Sequence, residues 1–384
     1  MFSDDSRYLV SWNDRKPILW DMHTGSIKHH LDHVDYGFDK FIFSPDGKYV
    51  GSRGITHLHI TNINTGILMF QGDFGDEKTW DGPDWLIREG FKSPKINSLK
   101  PKMWGYMPMV ESLAISLDNR LLAVAGDQPR VIVWDINSKK ITHTLEIASD
   151  EETPISNLKL HGLEFGPSNE TILVSVSYQG GYCLLWDVSS NTVKKFDNRR
   201  NYSRIDHAHI SPDGNYLILG GHGTAVYQIQ NRPDPYLLWE DSTPAWTISV
   251  SPHGKYFACM REKGTLLVRD ISNGDLLLEE TIIEEYKNSL VSIFNRPSEP
   301  ADFNHLFFRA DNKTLVAVTP YSAWTINIKT KKREIIKFPN LNTYGSSIIS
   351  PSGNRIAIGD SLFLSIENEP TLTLKTDPLG GRAD

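Results

Sequence analysis

One turn motif constrains this chain more than any other feature. Ser44-Pro45-Asp46-Gly47 separates two short apolar runs, Phe41-Ile42-Phe43 and Lys48-Tyr49-Val50-Gly51-Ser52. Proline presets φ, aspartate bonds to its own backbone and glycine supplies a positive φ, so these four residues are reversal chemistry. After a break at Arg53-Gly54 come Leu58-His59-Ile60 and a second turn, Asn64-Thr65-Gly66. Apolar runs of this length, alternating or briefly continuous, are strand signals. Residues 41–66 therefore read as a meander of about four antiparallel strands, too small to bury a core alone. Such a unit needs neighbours like itself.

The neighbours are present. Equivalent turns stand at Ser3-Asp4-Asp5-Ser6, Leu117-Asp118-Asn119, Gly166-Pro167-Ser168-Asn169 and Ser211-Pro212-Asp213-Gly214. They continue at Ser251-Pro252-His253-Gly254, Ala310-Asp311-Asn312-Lys313 and Ser350-Pro351-Ser352-Gly353. Where no insertion intervenes, the spacing is about forty residues, the period of propeller blades. Trp20-Asp21, Trp134-Asp135 and Trp186-Asp187 each end the third strand of a unit and precede a turn. That dipeptide, in that context, resembles the WD-repeat β-propeller family over about residues 2–376. Asp14 and Asp127 fall in the turn before that strand, where the family often has an aspartate. Thr61-Asn62, Arg269-Asp270 and Asn327 depart from the dipeptide, and the family's Gly-His pair is mostly missing. The resemblance implies an all-β fold, a closed β-propeller of four-stranded antiparallel blades. Eight blades is the preferred count and seven the alternative.

The first unit begins at its turn, so its innermost strand is expected to be missing from the sequence. The last unit has strands near 346–350, 355–359, 361–366 and 371–375. Either the final segment helps complete the first blade, or the chain is a fragment of a longer protein. A single domain over residues 1–384 is expected, with an insertion at about 73–109. Net charge is −7 over 384 residues, which argues against a general nucleic-acid binder. Cys183 and Cys259, each inside an expected strand, read as core thiols of a reducing compartment. No run reaches the eighteen apolar residues of a membrane span, and no apolar signal segment opens the chain. The expected location is cytoplasmic, with no membrane and no nucleic-acid partner. Oligomeric state is not legible.

Antiparallel alternation places the first-to-second and third-to-fourth turns of a unit at one end, and the second-to-third loops and blade-to-blade links at the other. The first class is short almost throughout. The links hold every long insertion, at about 71–110, 148–157, 198–204 and 281–302. Long loops on a rigid scaffold usually carry function. The longest holds Trp80, Trp85, Phe91, Trp104 and Tyr106 among Lys92, Lys95, Lys100 and Lys102. Aromatics interleaved with cations have the composition of binding hot spots. These rings either pack the insertion onto the scaffold or contact a partner, and the two roles are compatible. The second-to-third loops hold Arg15, Lys16, Arg53, Arg130, Arg261 and Lys263 against Asp14, Asp127, Glu262 and Asp360. The acidic Asp150-Glu151-Glu152 and Glu284-Glu285 stand in two links. Basic and acidic sectors of this kind suit a charged peptide, or are solvated loop charge. The candidate partner-binding set is Trp80, Trp85, Trp104, Tyr106, Arg53, Arg130, Tyr178, His222, Arg261 and Tyr321.

Catalytic signatures are sparse. The sequence has no Gly-x-Ser-x-Gly elbow, no phosphate-cradling Gly-Lys-Ser/Thr loop and no Cys-x-x-Cys pair. His207-Ala208-His209 puts two imidazoles on one face of an expected innermost strand. With His161 or His305 and a carboxylate nearby it would make a metal or general-base site; alone it reads as structural. Gly220-Gly221-His222-Gly223 joins two strands and opens no helix, so it is a hairpin and not a phosphate loop. The Ser-Pro dipeptides read as turns first and phosphorylation sites second. No cofactor, metal site or catalytic residue is expected. The reading is a non-enzymatic scaffold binding a protein or peptide. The alternatives are a propeller enzyme or metal protein, lactonase- or lyase-like, and a docking or sensor module of a larger protein.

Overall fold

The computed structural model describes residues 1–11, 17–31, 40–53, 57–73, 110–126, 130–147, 159–177, 181–197, 205–230, 235–245, 247–261, 264–282, 305–318, 322–337, 347–350, 355–358 and 362–365. Among them the strands form eight antiparallel sheets, each a meander in chain order. The first holds β1 (Tyr8–Ser11), β2 (Ile18–Asp21) and β3 (Ser26–His30). The second holds β4 (Lys40–Phe43), β5 (Tyr49–Arg53), β6 (His57–Asn62) and β7 (Leu68–Asp73). The third is β8 (Val110–Ile115), β9 (Leu121–Gly126), β10 (Arg130–Asp135) and β11 (Lys140–Glu146). The fourth is β12 (Lys159–Phe165), β13 (Thr171–Ser177), β14 (Tyr182–Asp187) and β15 (Thr192–Asp197). The fifth is β16 (Ile205–Ile210), β17 (Tyr216–Gly221), β18 (Thr224–Gln228) and β19 (Tyr236–Asp241). The sixth is β20 (Thr247–Val250), β21 (Tyr256–Met260), β22 (Thr265–Asp270) and β23 (Leu276–Thr281). The seventh is β24 (His305–Phe308), β25 (Thr314–Val318), β26 (Ser322–Asn327) and β27 (Arg333–Lys337). The eighth shows β28 (Ser347–Ile349), β29 (Arg355–Ile358) and β30 (Leu362–Ser365); the expected strand at 371–375 lies outside the described residues.

These sheets belong to two compact units. One comprises Met1–His30 with Thr243–Asp384, and the other Leu31–Ser242. In the first sheet Phe2 bridges Leu9 antiparallel, in the relation Phe43 has to Val50 in the second. Phe2 therefore stands where a first strand stands elsewhere.

The core lies between sheets and not within them. In the third sheet β9 and β10 are buried at five of six positions each, because both of their faces are covered. Their sequences are accordingly continuous apolar runs and not alternations. Ala123, Ala125, Val131 and Val133 pack with Leu160, Val174 and Trp186 of the fourth sheet. Leu58 and Ile60 of the second pack with Leu122 and Trp134 of the third, where Phe70 meets Trp134 edge-on at 6.0 Å. In the other unit Val268 and Met260 pack with Leu315 and Ile326. Cys183 and Cys259 are buried, unbridged core residues. Burial pushes the Cys183 thiol far above its ordinary pKa, so it is inert as a nucleophile.

The turns are held by a buried serine. Ser3, Ser44, Ser116, Ser211 and Ser251 have no exposed surface. Each Oγ accepts the backbone N–H five residues on, at 2.8–2.9 Å. In four of them it also donates to the aspartate two residues on, at 2.5–2.8 Å. The Ser-Pro hydroxyls at 44, 211 and 251 are thus engaged inside their turns. Position four of the seven described turns takes a positive φ, as glycine at Gly47, Gly214 and Gly254, as Asn119, Asn169 and Asn312, or as Ser6. Where it is asparagine, the side chain reaches the preceding sheet. Asn119 Oδ1 accepts Asp46 N–H at 3.2 Å, Asn169 Oδ1 accepts Asp118 N–H at 3.3 Å, and Asn312 Oδ1 accepts His253 N–H at 2.8 Å. At the end of the third strand, Asp21, Asp135 and Asp187 accept N–H groups of the following turn through Oδ1, as do Asn62 and Asn327. One acceptor oxygen is all the turn requires, so the departures from Trp-Asp keep its function.

The fourth strands manage an exposed edge. One extra residue bulges from five of them, at Lys28, Met69, Thr142, Leu238 and Leu277. Bulges twist an edge away from further pairing.

Ser116→Ala leaves the buried Leu121 N–H without its acceptor and is expected to cost about 1–3 kcal/mol in urea unfolding. Asn119→Gly keeps the positive φ and loses two exposed links, the one Oδ1 accepts from Asp46 and the one Nδ2 donates to the Leu117 carbonyl, so it is expected to cost about 1 kcal/mol or less. Thiol titration of the folded chain is expected to detect neither cysteine, and both after denaturation.

Candidate functional site

Two ends of the sheets differ in what they carry. The first-to-second and third-to-fourth turns are short throughout the described residues. The links out of β7, β11, β15 and β23 are long: β7 ends at Asp73 and β8 starts at Val110, β11 and β12 are bounded by Glu146 and Lys159, β15 and β16 by Asp197 and Ile205, and β23 and β24 by Thr281 and His305. All four insertions leave from the same end of their sheets, as the turn spacing required. A bulge also recurs at the link end of three consecutive first strands, at Glu111 of β8, His161 of β12 and Asp206 of β16. An extra residue there bends the strand and interrupts its pairing.

The sequence-derived candidates distribute unevenly over this end. Trp80, Trp85, Trp104, Tyr106, Tyr178 and Tyr321 lie outside the described residues. Arg53 closes β5. His222 is exposed at the tip of the β17–β18 hairpin, where Gly220 pairs with Thr224; the expected hairpin is what is found. Arg261 follows β21, half-buried, its backbone N–H donating to Thr265 at 2.8 Å. Arg130 opens β10 instead of standing in the loop, and is only 9% exposed. Burial holds its pKa below the ordinary arginine value, with the charge of Glu146 on β11 opposing that shift.

The His207-Ala208-His209 stretch does gain a carboxylate. Glu164 of β12 takes His209 Nδ1 on Oε2 at 2.9 Å and the Ile210 N–H on Oε1 at 3.1 Å. This corrects the reading of the two histidines as lacking a fixed carboxylate. The signal was present in the repeats: Glu164 and His209 each stand two residues before the turn of their unit, and equivalent positions of successive first strands lie side by side. Ser112 Oγ, which accepts Leu163 N–H at 3.0 Å, bridges β8 to β12 in a similar way. Burial lowers the His209 pKa, but the hydrogen bond and charge of Glu164 outweigh it, leaving the pKa above the ordinary histidine value. The pair is 43% and 34% exposed at its two side chains, so water screens it. The other histidines weighed for a metal, His161 and His305, have side chains outside the description. Among the described residues no three His, Cys, Asp or Glu side chains converge as metal ligands. No helix among them is long and apolar enough to cross a membrane.

Antiparallel meanders, most of them four-stranded and, within each unit, packed sheet against sheet, define a propeller-type all-β fold. Among solved structures, the β-propeller domain of Myceliophteria thermophila Cps50 (Swd1) is similar with a TM-score of 0.54, 11% identity and coverage of 88% of this chain and 95% of that one. Dihydro-heme d1 dehydrogenase NirN in complex with DHE is similar with a TM-score of 0.63, 13% identity and coverage of 97% and 73%. Among curated proteins, target of rapamycin complex subunit wat1 of Schizosaccharomyces pombe is 21% identical over 224 residues, 57% of this chain and 58% of that protein. Target of rapamycin complex subunit LST8 of Rattus norvegicus is 20% identical over 240 residues, 59% and 62%. The chain thus spans about three-fifths of the length of these relatives. No family model matches. The chain is thus similar to WD-repeat β-propeller proteins.

His209→Gln is expected to reveal the charged pair through pH. Because the folded pKa is raised, the stabilisation is fully present below the unfolded value of about 6.5 and is lost as pH rises through the folded value. Wild type should exceed the variant by about 0.5–1 kcal/mol on the acid side, and the difference should close as pH rises through the folded value. Urea unfolding across that range reads it.

Proposed function

We propose that the chain is a non-enzymatic interaction scaffold, a single propeller over residues 1–384 that binds a protein or peptide on its loop-elaborated end. One observation carries this reading: every long insertion between described strands leaves from one end of the sheets, while the opposite end keeps short turns. A rigid frame that varies only at one end is built to present loops. The wat1 and LST8 relatives, named as subunits of a target of rapamycin complex, support a role for this chain as a subunit of a protein assembly, in the cytoplasm. We assign eight blades to the ring, from the eight sheets among the described residues. The contact set is Trp80, Trp85, Trp104 and Tyr106 on the longest insertion, with Arg53, Arg130, Tyr178, His222, Arg261 and Tyr321 around it.

A catalytic reading has one observation in its favour, the Glu164–His209 pair. A histidine oriented by a carboxylate is the arrangement a general base uses. Both oxygens of Glu164 are nevertheless spent on β16, one on His209 and one on the Ile210 backbone, which favours a seam between sheets over a reaction centre.

The test is affinity capture with mass spectrometry, using wild type beside a variant in which 74–109 is replaced by a short Gly-Ser link. A partner set captured by wild type and lost by a variant with an unchanged unfolding transition is the expected result. Equal capture by both would place the contacts away from the insertion.

A further inference from the structure

The seventh sheet ends in an edge unlike most of the others. Five of the seven described fourth strands carry a bulge, whereas β15 and β27 run in unbroken register with their neighbours. An unbulged edge presents a regular row of backbone donors and acceptors, the template on which an extended peptide adds as a further strand. In β27 that edge is also exposed and basic. The turn and strand hold Lys329, Lys331, Lys332 and Arg333 against Glu334, all exposed, in a chain of net charge −7. Ile335 adds an apolar side chain 41% exposed. Lys332 and Glu334 pair at 2.9 Å, a contact open to water that a stronger acidic ligand can displace. The turn before β15, by contrast, is Ser189-Ser190-Asn191 and carries no charge, and Lys195 of that strand lies over the Tyr182 ring at 4.3 Å.

We infer that β27 and the basic turn before it form a docking edge for an acidic extended segment of a partner protein, which adds as a fifth strand to the seventh sheet. The cations select the occupant. A second copy of β27 brings the same positive charge and is repelled, whereas a strand with carboxylates at alternate positions meets the basic turn while its apolar residues reach Ile335. The regular hydrogen-bonding edge favours a peptide over a polyphosphate, since phosphates offer no N–H groups to the β27 carbonyls. This edge is independent of the long insertions, so the inference stands whether or not they bind a partner.

The experiment titrates the full chain with a fluorescent peptide of alternating Glu and Val, read by anisotropy. Saturable binding is expected. It should weaken by about tenfold or more in the Lys329→Glu/Lys332→Glu/Arg333→Glu variant and strengthen in Glu334→Lys. Both variants alter exposed residues, and thermal unfolding is run to confirm an unchanged transition. The same peptide N-methylated at alternate residues keeps its charge but cannot donate, and should bind about tenfold more weakly or worse. Equal binding of the N-methylated peptide, or of a polyphosphate chain, would overturn strand addition in favour of a simple anion patch. Absence of binding, or binding indifferent to both variants, would overturn the site.

Discussion

Each sheet of this protein depends on burial that it cannot supply by itself. The second and third strands of a sheet are apolar on both faces, and those faces are covered only when the next sheet stacks on them. Trp186, with almost no exposed surface, packs among residues of two sheets at once. Hydrophobic burial of this kind is non-directional, so it favours stacking without setting the alignment of one sheet on the next. Alignment comes from polar contacts at the turns and first strands.

Those contacts differ from seam to seam. Between the second and third sheets, and again between the third and fourth, an asparagine in the positive-φ position of one turn accepts a backbone N–H of the turn before it. Gly214 holds that position in the fifth sheet and has no side chain to offer, and its α-carbon faces Pro167 so closely that an added Cβ would stand 3.0 Å from the ring. There Glu164 grips His209 and the Ile210 N–H on the neighbouring first strand. Seams between sheets are thus served by two chemistries, an amide that no ordinary pH alters and an imidazole held by a carboxylate.

The same division between rigid frame and variable end gives the surface its character. At one end tight turns with internal hydrogen bonds, five of them closed on a buried serine, keep the connections short. The opposite end has no such lock, and length accumulates there. The outer edges form a third kind of surface. Most are twisted by a bulge, while β15 and β27 keep a straight ladder and carry lysine or arginine instead. Charge and bulge are alternative ways to prevent indiscriminate strand pairing, and only the charged way leaves a ladder that a chosen partner can use.

The repeat, the strand order, the turns and the end that carries insertions were all legible in the residues, because each rests on local chemistry: proline and glycine dihedrals, Asx turns and strand-length apolar runs. The equivalence of Asn62 and Asn327 to the aspartates of other units was legible in position, and its cause, one accepting oxygen, is local too. What the sequence did not disclose were relations between units. Arg130 reads as a loop cation, yet the strand begins one residue earlier than the loop pattern suggests and the side chain is buried beside Glu146. Glu164 reads as an ordinary strand carboxylate, and only the side-by-side placement of β12 and β16 makes it the partner of His209. The bulges that separate β27 from five other edges depend on pairing register, which no single strand encodes. Local dihedral and hydrogen-bonding preferences act within a few residues and survive in the sequence, whereas cross-sheet contacts join groups about fifty residues apart, as Asn169 and Asp118 are, and exist only once the sheets are stacked.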